Sequence, residues 1–226
     1  MMNNERSCAV LCSGGLDSAI LLAVIAQQWE RVFPVYIRCG LLWESVELEY
    51  VQQFIQAIQP RYPSIQPLVL LEETVTDLYG KHWSVTGEEV PDAQTPDEAV
   101  YLPGRNVLLL AKTLLWCHLH QVHSIALGVL GSNPFPDASA AFFEQLANVV
   151  GSAVNDQMQI DLPFGQLHKV EVMHQGRDLP LEWTFSCIRP VGKQHCGRCN
   201  KCHERQQAFQ AAQLADPTPY ASEGSS

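Results

Sequence analysis

The chain has 226 residues, 46% of them hydrophobic, and its 14 basic and 24 acidic residues give a formal net charge of −10. This length and apolar fraction are typical of one sizeable globular α/β domain with a possible appendage. The acidic balance argues against a protein that coats nucleic acid or an anionic membrane by bulk electrostatics. The polar start of the chain shows no signal peptide, and no apolar run reaches membrane-spanning length, so we expect a cytoplasmic protein.

The first predicted element is a buried strand at residues 8–12, which runs through the loop SGGLDS at residues 13–18 into a helix. The two glycines of this loop allow positive φ and let a ligand approach the backbone N–H groups closely. Asp17 and Ser18 fall in the first helical turn, where a carboxylate and a hydroxyl suit the helix dipole. Strand, glycine loop and helix start together predict an anion site, and the expected anion is a phosphate. The loop matches neither the Walker motif nor the dinucleotide fingerprint.

Strands and helices then alternate through the first half of the chain. Strands are predicted at residues 31–38 and 67–71, with an amphipathic helix at 43–58 between them. This order predicts a parallel sheet with right-handed crossovers, in which ligands bind beyond the carboxyl ends of the strands. Residues 72–102 have weak periodicity and several prolines, and we interpret them as a long active-site loop with at most one short helix. A disordered surface insertion is the alternative.

The second half continues the alternation and brings the predicted sheet to five parallel strands, wound on both faces. Its predicted elements are a helix at 107–119, a strand at 124–130, a helix at 139–150, a short strand at 159–163, a short helix at 169–174 and a tail helix at 204–214. Residues 217–219 and 223–226 are expected to fray.

Three polar segments stand at positions that suit an anionic ligand. Arg105 and Asn106 open a predicted helix, and arginine forks onto carboxylates and phosphates; a surface arginine with a capping asparagine is the alternative. Lys169 also opens a helix, where its charge opposes the dipole, so this position indicates an anionic ligand. Asp137 follows the fourth strand and is predicted to cap the next helix, to bind substrate, or to do both.

A second motif, CGRCNKC, lies at residues 196–202, with a further cysteine upstream. Thiolates at this spacing are typical of a closed tetrahedral zinc site, which is structural rather than catalytic. Arg198 and Lys201 are expected to offset the negative charge of the thiolates. An iron–sulfur cluster has similar cysteine spacing and remains the open alternative, whereas disulfides do not suit a cytoplasmic chain. The predicted zinc ligands are Cys187, Cys196, Cys199 and Cys202.

With these pieces in place, the chain resembles the 7-cyano-7-deazaguanine synthase family of the ATP pyrophosphatase superfamily. The resemblance covers roughly residues 7–212 and combines several motifs, which makes it specific. The matching segments are the SGGLDS loop, PGRN at 103–106, Pro-Asp at 136–137, Lys169 with Glu171, and TFSC at 184–187 with the three later cysteines.

The resemblance implies a fold of the adenine nucleotide alpha hydrolase type, with an ATP-binding α/β domain at residues 1–178 and a small helical zinc-binding subdomain at 179–226. It implies an ATP-dependent ligase that converts 7-carboxy-7-deazaguanine and ammonia to a nitrile through adenylated intermediates. The implied cofactors are ATP, Mg²⁺ and Zn²⁺, and the implied assembly is a homodimer. The implied site residues are Ser13, Gly14, Gly15, Leu16, Asp17, Ser18, Arg105 and Asn106 for the nucleotide, Asp17, Ser18, Arg105 and Lys169 for catalysis, and Arg38, Gly40 and Asp137 for the substrate.

One segment departs from the family pattern. After the second strand the family commonly carries Asp-Tyr-Gly-Gln, whereas this chain has Arg-Cys-Gly-Leu at residues 38–41, so a base replaces an acid. Glu44 or Glu47 could restore a carboxylate from the next helix. The departure leaves open an adenylating amidase that acts on a related carboxylic acid.

Two further classes of function remain as alternatives. A tRNA-modifying sulfur or amino transferase can use the same loop, but such an enzyme must bind a polyanion, and the net charge of −10 argues against it. A nucleotide-binding or zinc-binding module without turnover is the other alternative, against which the presence of Asp17, Arg105 and Lys169 argues.

Overall fold

Five parallel strands form one sheet in the order β3-β2-β1-β4-β5. The computed structural model describes residues 6–222, with the side chain of Asp97 left out of the description. All four strand pairs are parallel, as the alternating pattern predicts. The strands are β1 (Ser7–Leu11), β2 (Arg31–Arg38), β3 (Val69–Glu72), β4 (Ser124–Ala126) and β5 (Gln159–Asp161).

Helices cover both faces of the sheet, because successive residues of β1 point to opposite sides. Cys8 and Val10 pack into a core with the helices of one face, and Ala9 packs into the core of the other face. The doubly wound prediction is therefore confirmed. The helices are α1 (Leu16–Ala26), α2 (Glu44–Ile58), α3 (Thr76–Tyr79), α4 (Trp83–Thr86), α5 (Arg105–Leu119), α6 (Ala140–Val154), α7 (Lys169–Gln175) and α8 (Asn200–Ala211).

The segment between β3 and α5 is folded, which contradicts the alternative of a disordered insertion. It contains α3, α4 and a 3₁₀ turn at Asp97–Val100, where at most one short helix was predicted. Its middle is tied to the cysteine region, since the amide of Asn200 donates to the carbonyl of Pro91 at 3.0 Å. Asp92 also forms an isolated antiparallel bridge with Cys199.

Two predicted boundaries are wrong for identifiable reasons. β4 ends at Ala126 rather than near residue 130, because its partners end there: Ala126 pairs with the last residues of the β1 and β5 ladders. Helix α8 begins at Asn200, four residues earlier than predicted, so its first turn lies inside the cysteine motif.

The C-terminal segment is held to the fold as far as Ala221, whose amide donates to the carbonyl of His195 at 2.8 Å. Thr218 is buried, and its hydroxyl accepts a hydrogen bond from Nε of the buried Arg205 at 2.6 Å. The prediction of fraying at residues 217–219 is therefore wrong, and residues 223–226 lie outside the described part. Among the described helices, none combines the length and the apolarity that a membrane crossing requires.

The cysteine region shares its packing with the sheet. All four predicted zinc ligands belong to the same hydrophobic core as Ala9 of β1 and Val35 of β2. Ala208 and Phe209 of α8 pack into the core on the opposite face of the sheet, with α1 and α7. The division between residues 178 and 179 stays a prediction.

Candidate active site

The SGGLDS loop is held closed by its own hydroxyl groups. The hydroxyl of Ser18 accepts from the amide of Ser13 at 3.2 Å and donates to the carbonyl of Gly15 at 3.2 Å. Gly14 has φ +76°, and a Cβ there would lie 2.7 Å from Cγ of Glu47. Only glycine satisfies both the conformation and the space at this position.

Asp17 and Lys169 form the central ion pair of the site. Nζ of Lys169 lies 2.7 and 2.8 Å from the two carboxylate oxygens of Asp17, across 152 residues of sequence. Close packing of α1 against α7 brings them together, since a Cβ on Gly176 would lie 2.4 Å from Cγ1 of Ile20. The two predicted catalytic residues therefore meet at the helix start that follows the loop.

The PGRN segment places Arg105 in the same cavity as Asp17 and Lys169. The amide of Asn106 donates to Oδ2 of Asp137 at 3.2 Å, and its side chain donates to the Asp137 carbonyl at 2.8 Å. These bonds tie the start of α5 to the 3₁₀ turn after β4, while Nε of Arg105 is buried without a partner among the described residues. Such an orphaned donor suits an anionic ligand.

Asp137 has a structural partner rather than the predicted capping role. Helix α6 is capped by Ser139, whose hydroxyl accepts from the amide of Phe142 at 3.2 Å. The prediction that Asp137 caps the next helix is therefore wrong. Because Asp137 is buried and accepts from the amide of Asn106 in the first turn of α5, it anchors that turn instead. Its contact with substrate stays a prediction.

Arg38 and Gly40 are both engaged by Glu44. Nε of Arg38 lies 3.2 Å from Oε1 of Glu44, and the amide of Gly40 donates to Oε2 at 2.8 Å. The amide of Cys39 also donates to the same carboxylate. The Arg38 side chain is 49% exposed, and its charge is balanced by Glu44 and by Glu72 of β3, whose Oε1 lies 3.7 Å from Nη1 of Arg38. Glu44 thus compensates for the base that departs from the family pattern.

Glu47 is the site residue that the motif comparison missed. It is buried below the loop, against Gly14, and accepts a hydrogen bond from the hydroxyl of Tyr36 at 2.8 Å. Burial raises the pKa of Glu47 to about 7, while the positive charge of Arg105 acts in the opposite direction. The available signal was an acid at the spacing of Val51 and Phe54, on the buried face of α2.

Two cavities meet at the loop and share Ser13, Gly15, Asp17, Glu47 and Arg105. The sheet cavity, of about 230 Å³, opens at the carboxyl ends of β1 and β2 and is lined by Leu11, Ile37, Leu109, Leu127 and Val129. The basic cavity, of about 220 Å³, is lined by Lys169, Lys201, Arg105 and Arg205 together with Asp17, Glu47 and Glu204. Neither lining includes Arg38, Gly40 or Asp137 among the described residues.

A larger open depression of about 1130 Å³ lies at the other end of β4 and β5, around His123 and Asp156. It contains none of the predicted site residues, and ligands of open α/β sheets bind at the carboxyl ends of the strands. The two cavities at the loop therefore define the candidate active site.

The four predicted metal ligands converge on one point. Their sulfur atoms all lie within 4.8 Å of one another, and the Cys196–Cys202 and Cys187–Cys199 pairs are 3.9 Å apart. Tetrahedral zinc with bonds of about 2.3 Å requires sulfur atoms about 3.8 Å apart. The geometry is compatible with a single zinc ion and favours it over an iron–sulfur cluster, whose thiolates bind separate iron atoms.

Backbone amides and a histidine hold the cysteine cluster beside the loop. The amides of Arg189 and Cys196 each lie 3.3 Å from the Cys187 sulfur. The buried His195 accepts from the amide of Ser186 at 3.1 Å through Nε2. The next amide upstream, that of Phe185, donates to the carbonyl of Gly14 at 2.7 Å. One short segment therefore connects the cluster to the glycine loop.

Together the fold and the site define a doubly wound α/β enzyme whose glycine loop lies between two cavities at the carboxyl ends of the strands. The family model described as "Queuosine biosynthesis protein QueC" matches residues 7–213. The chain belongs to this QueC family.

Individual relatives agree over the whole length. The 7-cyano-7-deazaguanine synthase of Thiobacillus denitrificans is 31% identical, over 96% of this chain and 99% of the relative. The enzyme of the same name from Acidobacterium capsulatum is 28% identical, over 97% and 99%. Among solved structures, a 4-thiouridine synthetase–RNA complex with bound ATP covers 92% of this chain and 50% of its own, at 13% identity and a TM-score of 0.47.

Proposed function

We propose that this protein is an ATP-dependent ligase that converts 7-carboxy-7-deazaguanine and ammonia to 7-cyano-7-deazaguanine. The observation that carries the proposal is the convergence of the SGGLDS loop, the Asp17–Lys169 pair and Arg105 between the sheet cavity and the basic cavity. The full-length match to relatives that bear this enzyme's name supports the choice of substrate.

The two cavities suit the two ends of ATP. The sheet cavity offers apolar side chains such as Ile37 and Leu127 to a purine ring. The basic cavity offers Lys169 and Arg105 to the phosphates, and the glycine loop between the two cavities would receive the α-phosphate. Charged donors in such a protected site stabilise the charge that develops as pyrophosphate leaves.

The chemical steps consume two molecules of ATP and one of ammonia for each nitrile formed. The substrate carboxylate attacks the α-phosphorus, pyrophosphate leaves, and ammonia then displaces AMP to give an amide. A second adenylation, on the amide oxygen, allows loss of AMP and leaves the nitrile. Asp17 is the carboxylate that would hold Mg²⁺, which would neutralise part of the phosphate charge when bound. Lys169 would then turn from Asp17 to the departing pyrophosphate.

The remaining parts of the proposal concern assembly. The closed set of four buried cysteines would hold zinc as a structural ion, with no open position for substrate. The ATP-binding unit would end near residue 178, and the functional form would be a homodimer, as the family resemblance implies.

The test is turnover of the defined substrates. Purified protein is incubated with ATP, Mg²⁺, ammonia and 7-carboxy-7-deazaguanine, and AMP and nitrile are followed by mass spectrometry. We expect both products, whereas AMP at background level would overturn the proposal. Amide without nitrile would instead support the alternative of an amidase.

A paired variant tests the role of Asp17. Asp17→Ala should lower AMP formation by about 100-fold or more, because it removes the carboxylate proposed to hold Mg²⁺ beside the phosphates. Asp178→Ala is the control, since Asp178 is 74% exposed and pairs only loosely with Arg177 at 3.6 Å. Both variants should keep the unfolding transition of the parent protein. Turnover retained by Asp17→Ala would contradict the proposed role.

A further inference from the structure

We infer that Lys201 is a phosphate-binding residue of the basic cavity. Glu204 pairs with Lys201 when no phosphate is bound, and its negative charge weakens phosphate binding. The inference rests on the proposed function in one respect: the expected ligand is the β,γ-phosphate end of ATP or the pyrophosphate product. It adds a residue from the cysteine motif to a site otherwise built by the loop, α5 and α7.

The cysteine motif sets the position of Lys201 in the chain, but the Lys201 side chain lines the basic cavity. Lys201 lies between Cys199 and Cys202 in the first turn of α8, where the sequence predicts that it neutralises the thiolates. In the structure its ammonium instead pairs with Glu204 at 2.5 Å, and both side chains line the basic cavity. Backbone amides donate to the Cys187 sulfur of the cluster. Because these amides already offset thiolate charge, the Lys201 ammonium is available to a ligand.

The location is costly for a lysine unless an anion is nearby. A cation in the first turn of a helix opposes the helix dipole, and α8 is 12 residues long. The same cavity contains Lys169 and the unpartnered Nε of Arg105. Positive groups converging from separate elements repel one another, and a polyanion between them relieves that repulsion.

Two other cations of this cavity, Arg205 and Lys169, already have partners from within the fold. Arg205 is buried and donates to Thr184, Thr218 and the carbonyl of Leu181. Lys169 holds both oxygens of Asp17. Within residues 6–222, Lys201 has one acid partner, Glu204, which is itself 42% exposed, so this pair can open at little cost. Exchange of one carboxylate for a phosphate group gives Lys201 a more highly charged partner.

Glu204 therefore acts against the ligand once the pair opens. Its carboxylate lines the same cavity and would remain beside the bound phosphates, where like charges repel. Removal of the Lys201 charge should weaken phosphate binding, and removal of the Glu204 charge should strengthen it. These opposite signs distinguish a ligand site from a purely structural ion pair, in which both changes act in the same direction.

The experiment measures binding of magnesium pyrophosphate to the zinc-loaded protein by calorimetry. Lys201→Ala should weaken binding about tenfold, the effect of losing one charge-assisted hydrogen bond. Glu204→Gln should strengthen it about threefold, as expected for one like charge at a partly exposed position. Lys193→Ala is the control, because Lys193 belongs to the same segment but is 74% exposed and pairs with Glu49. Adenosine affinity and zinc content should stay unchanged in all three variants.

Unchanged pyrophosphate affinity in Lys201→Ala would overturn the inference, as would weaker binding in Glu204→Gln. Loss of zinc together with loss of binding in Lys201→Ala would also overturn it, because it would show a structural role. The proposed function fails separately. If the parent protein makes no AMP but binds pyrophosphate in a Lys201-dependent way, the substrate assignment falls and the phosphate site stands.

Discussion

A single carboxylate, that of Glu47, links the glycine loop to the rest of the site. It touches Gly14, accepts from the hydroxyl of Tyr36 and lies near the charge of Arg105, and it lines both cavities. Burial raises its pKa to about 7, well above the ordinary value of 4.5. A buried acid of this kind costs free energy once it ionises, and such costs are typical of functional sites.

The sign of the pH effect follows from the direction of the shift. The folded protein holds the Glu47 proton more tightly than the unfolded chain, so stability falls as the pH rises from 4.5 to about 7. The free energy of unfolding falls by on the order of 3 kcal/mol by pH 8. Glu47→Gln should largely abolish this fall, because glutamine carries no charge at any pH.

Urea unfolding at pH 5 and pH 8 measures this effect as a difference between variants. Glu49→Gln is the control, since Glu49 lies on the same helix with its side chain 42% exposed, and it should follow the parent protein. If Glu47→Gln loses as much stability as the parent between the two pH values, the assignment of a raised pKa to Glu47 is wrong.

At the scale of elements, the cysteine cluster organises two segments at once. It starts α8, and it also holds the middle of the segment between β3 and α5 through the Asp92–Cys199 bridge. The amide of Ala93 donates to the carbonyl of Arg198 at 3.2 Å, next to the bond from Asn200 to Pro91. The cluster therefore supports a long loop whose own sequence carries little periodicity.

Cys199→Ser should lose the metal and release that loop. We expect zinc content to fall well below one ion per chain, and the amides of Ala93 and Asn200 to exchange at least tenfold faster, because their hydrogen bonds depend on the cluster. Elemental analysis and hydrogen exchange with mass spectrometry measure the two effects. Cys117→Ser is the control, since Cys117 is buried and is not one of the four clustered cysteines. Stoichiometric zinc in Cys199→Ser would show that the ligand assignment is wrong.

At the scale of the whole molecule, a protein with a net charge of −10 contains a cavity lined by four basic side chains. A small polyanion that fits the cavity meets Lys169 and Lys201 directly, whereas a long nucleic acid must also cover acidic surface. Bulk electrostatics therefore favours small phosphorylated ligands over tRNA.

We expect no measurable complex with bulk tRNA at about 10 µM protein and 50 mM salt, a condition in which basic nucleic-acid-binding proteins bind readily. An electrophoretic shift assay tests this, with magnesium pyrophosphate binding as the control that the sample is active. A complex that forms at low salt and dissolves at 200 mM would instead favour the tRNA-modifying alternative.

The sequence by itself determined the strands, the glycine loop and the cysteine cluster, because local chemistry specifies each of them. Apolar runs separated by turns specify five parallel strands, and the spacing of glycines and cysteines specifies the loop and the four-cysteine cluster, because each depends on neighbouring residues. The family motifs also predict Arg105 and Lys169 as site residues, and both line the basic cavity. These features are the ones that short stretches of chain encode.

Tertiary structure alone decided which side chains share the cavities. The partners of Arg38 and Glu47, and the cavity that Lys201 lines, depend on how α2 and α8 pack, and packing distances of a few ångströms are not visible in a linear pattern. Glu44 turned out to compensate for Arg38, Glu47 to line both cavities, and Lys201 to pair with Glu204 in the basic cavity. Long-range contacts such as the one between Asp17 and Lys169 arise only when burial of both cores fixes the helices on the sheet.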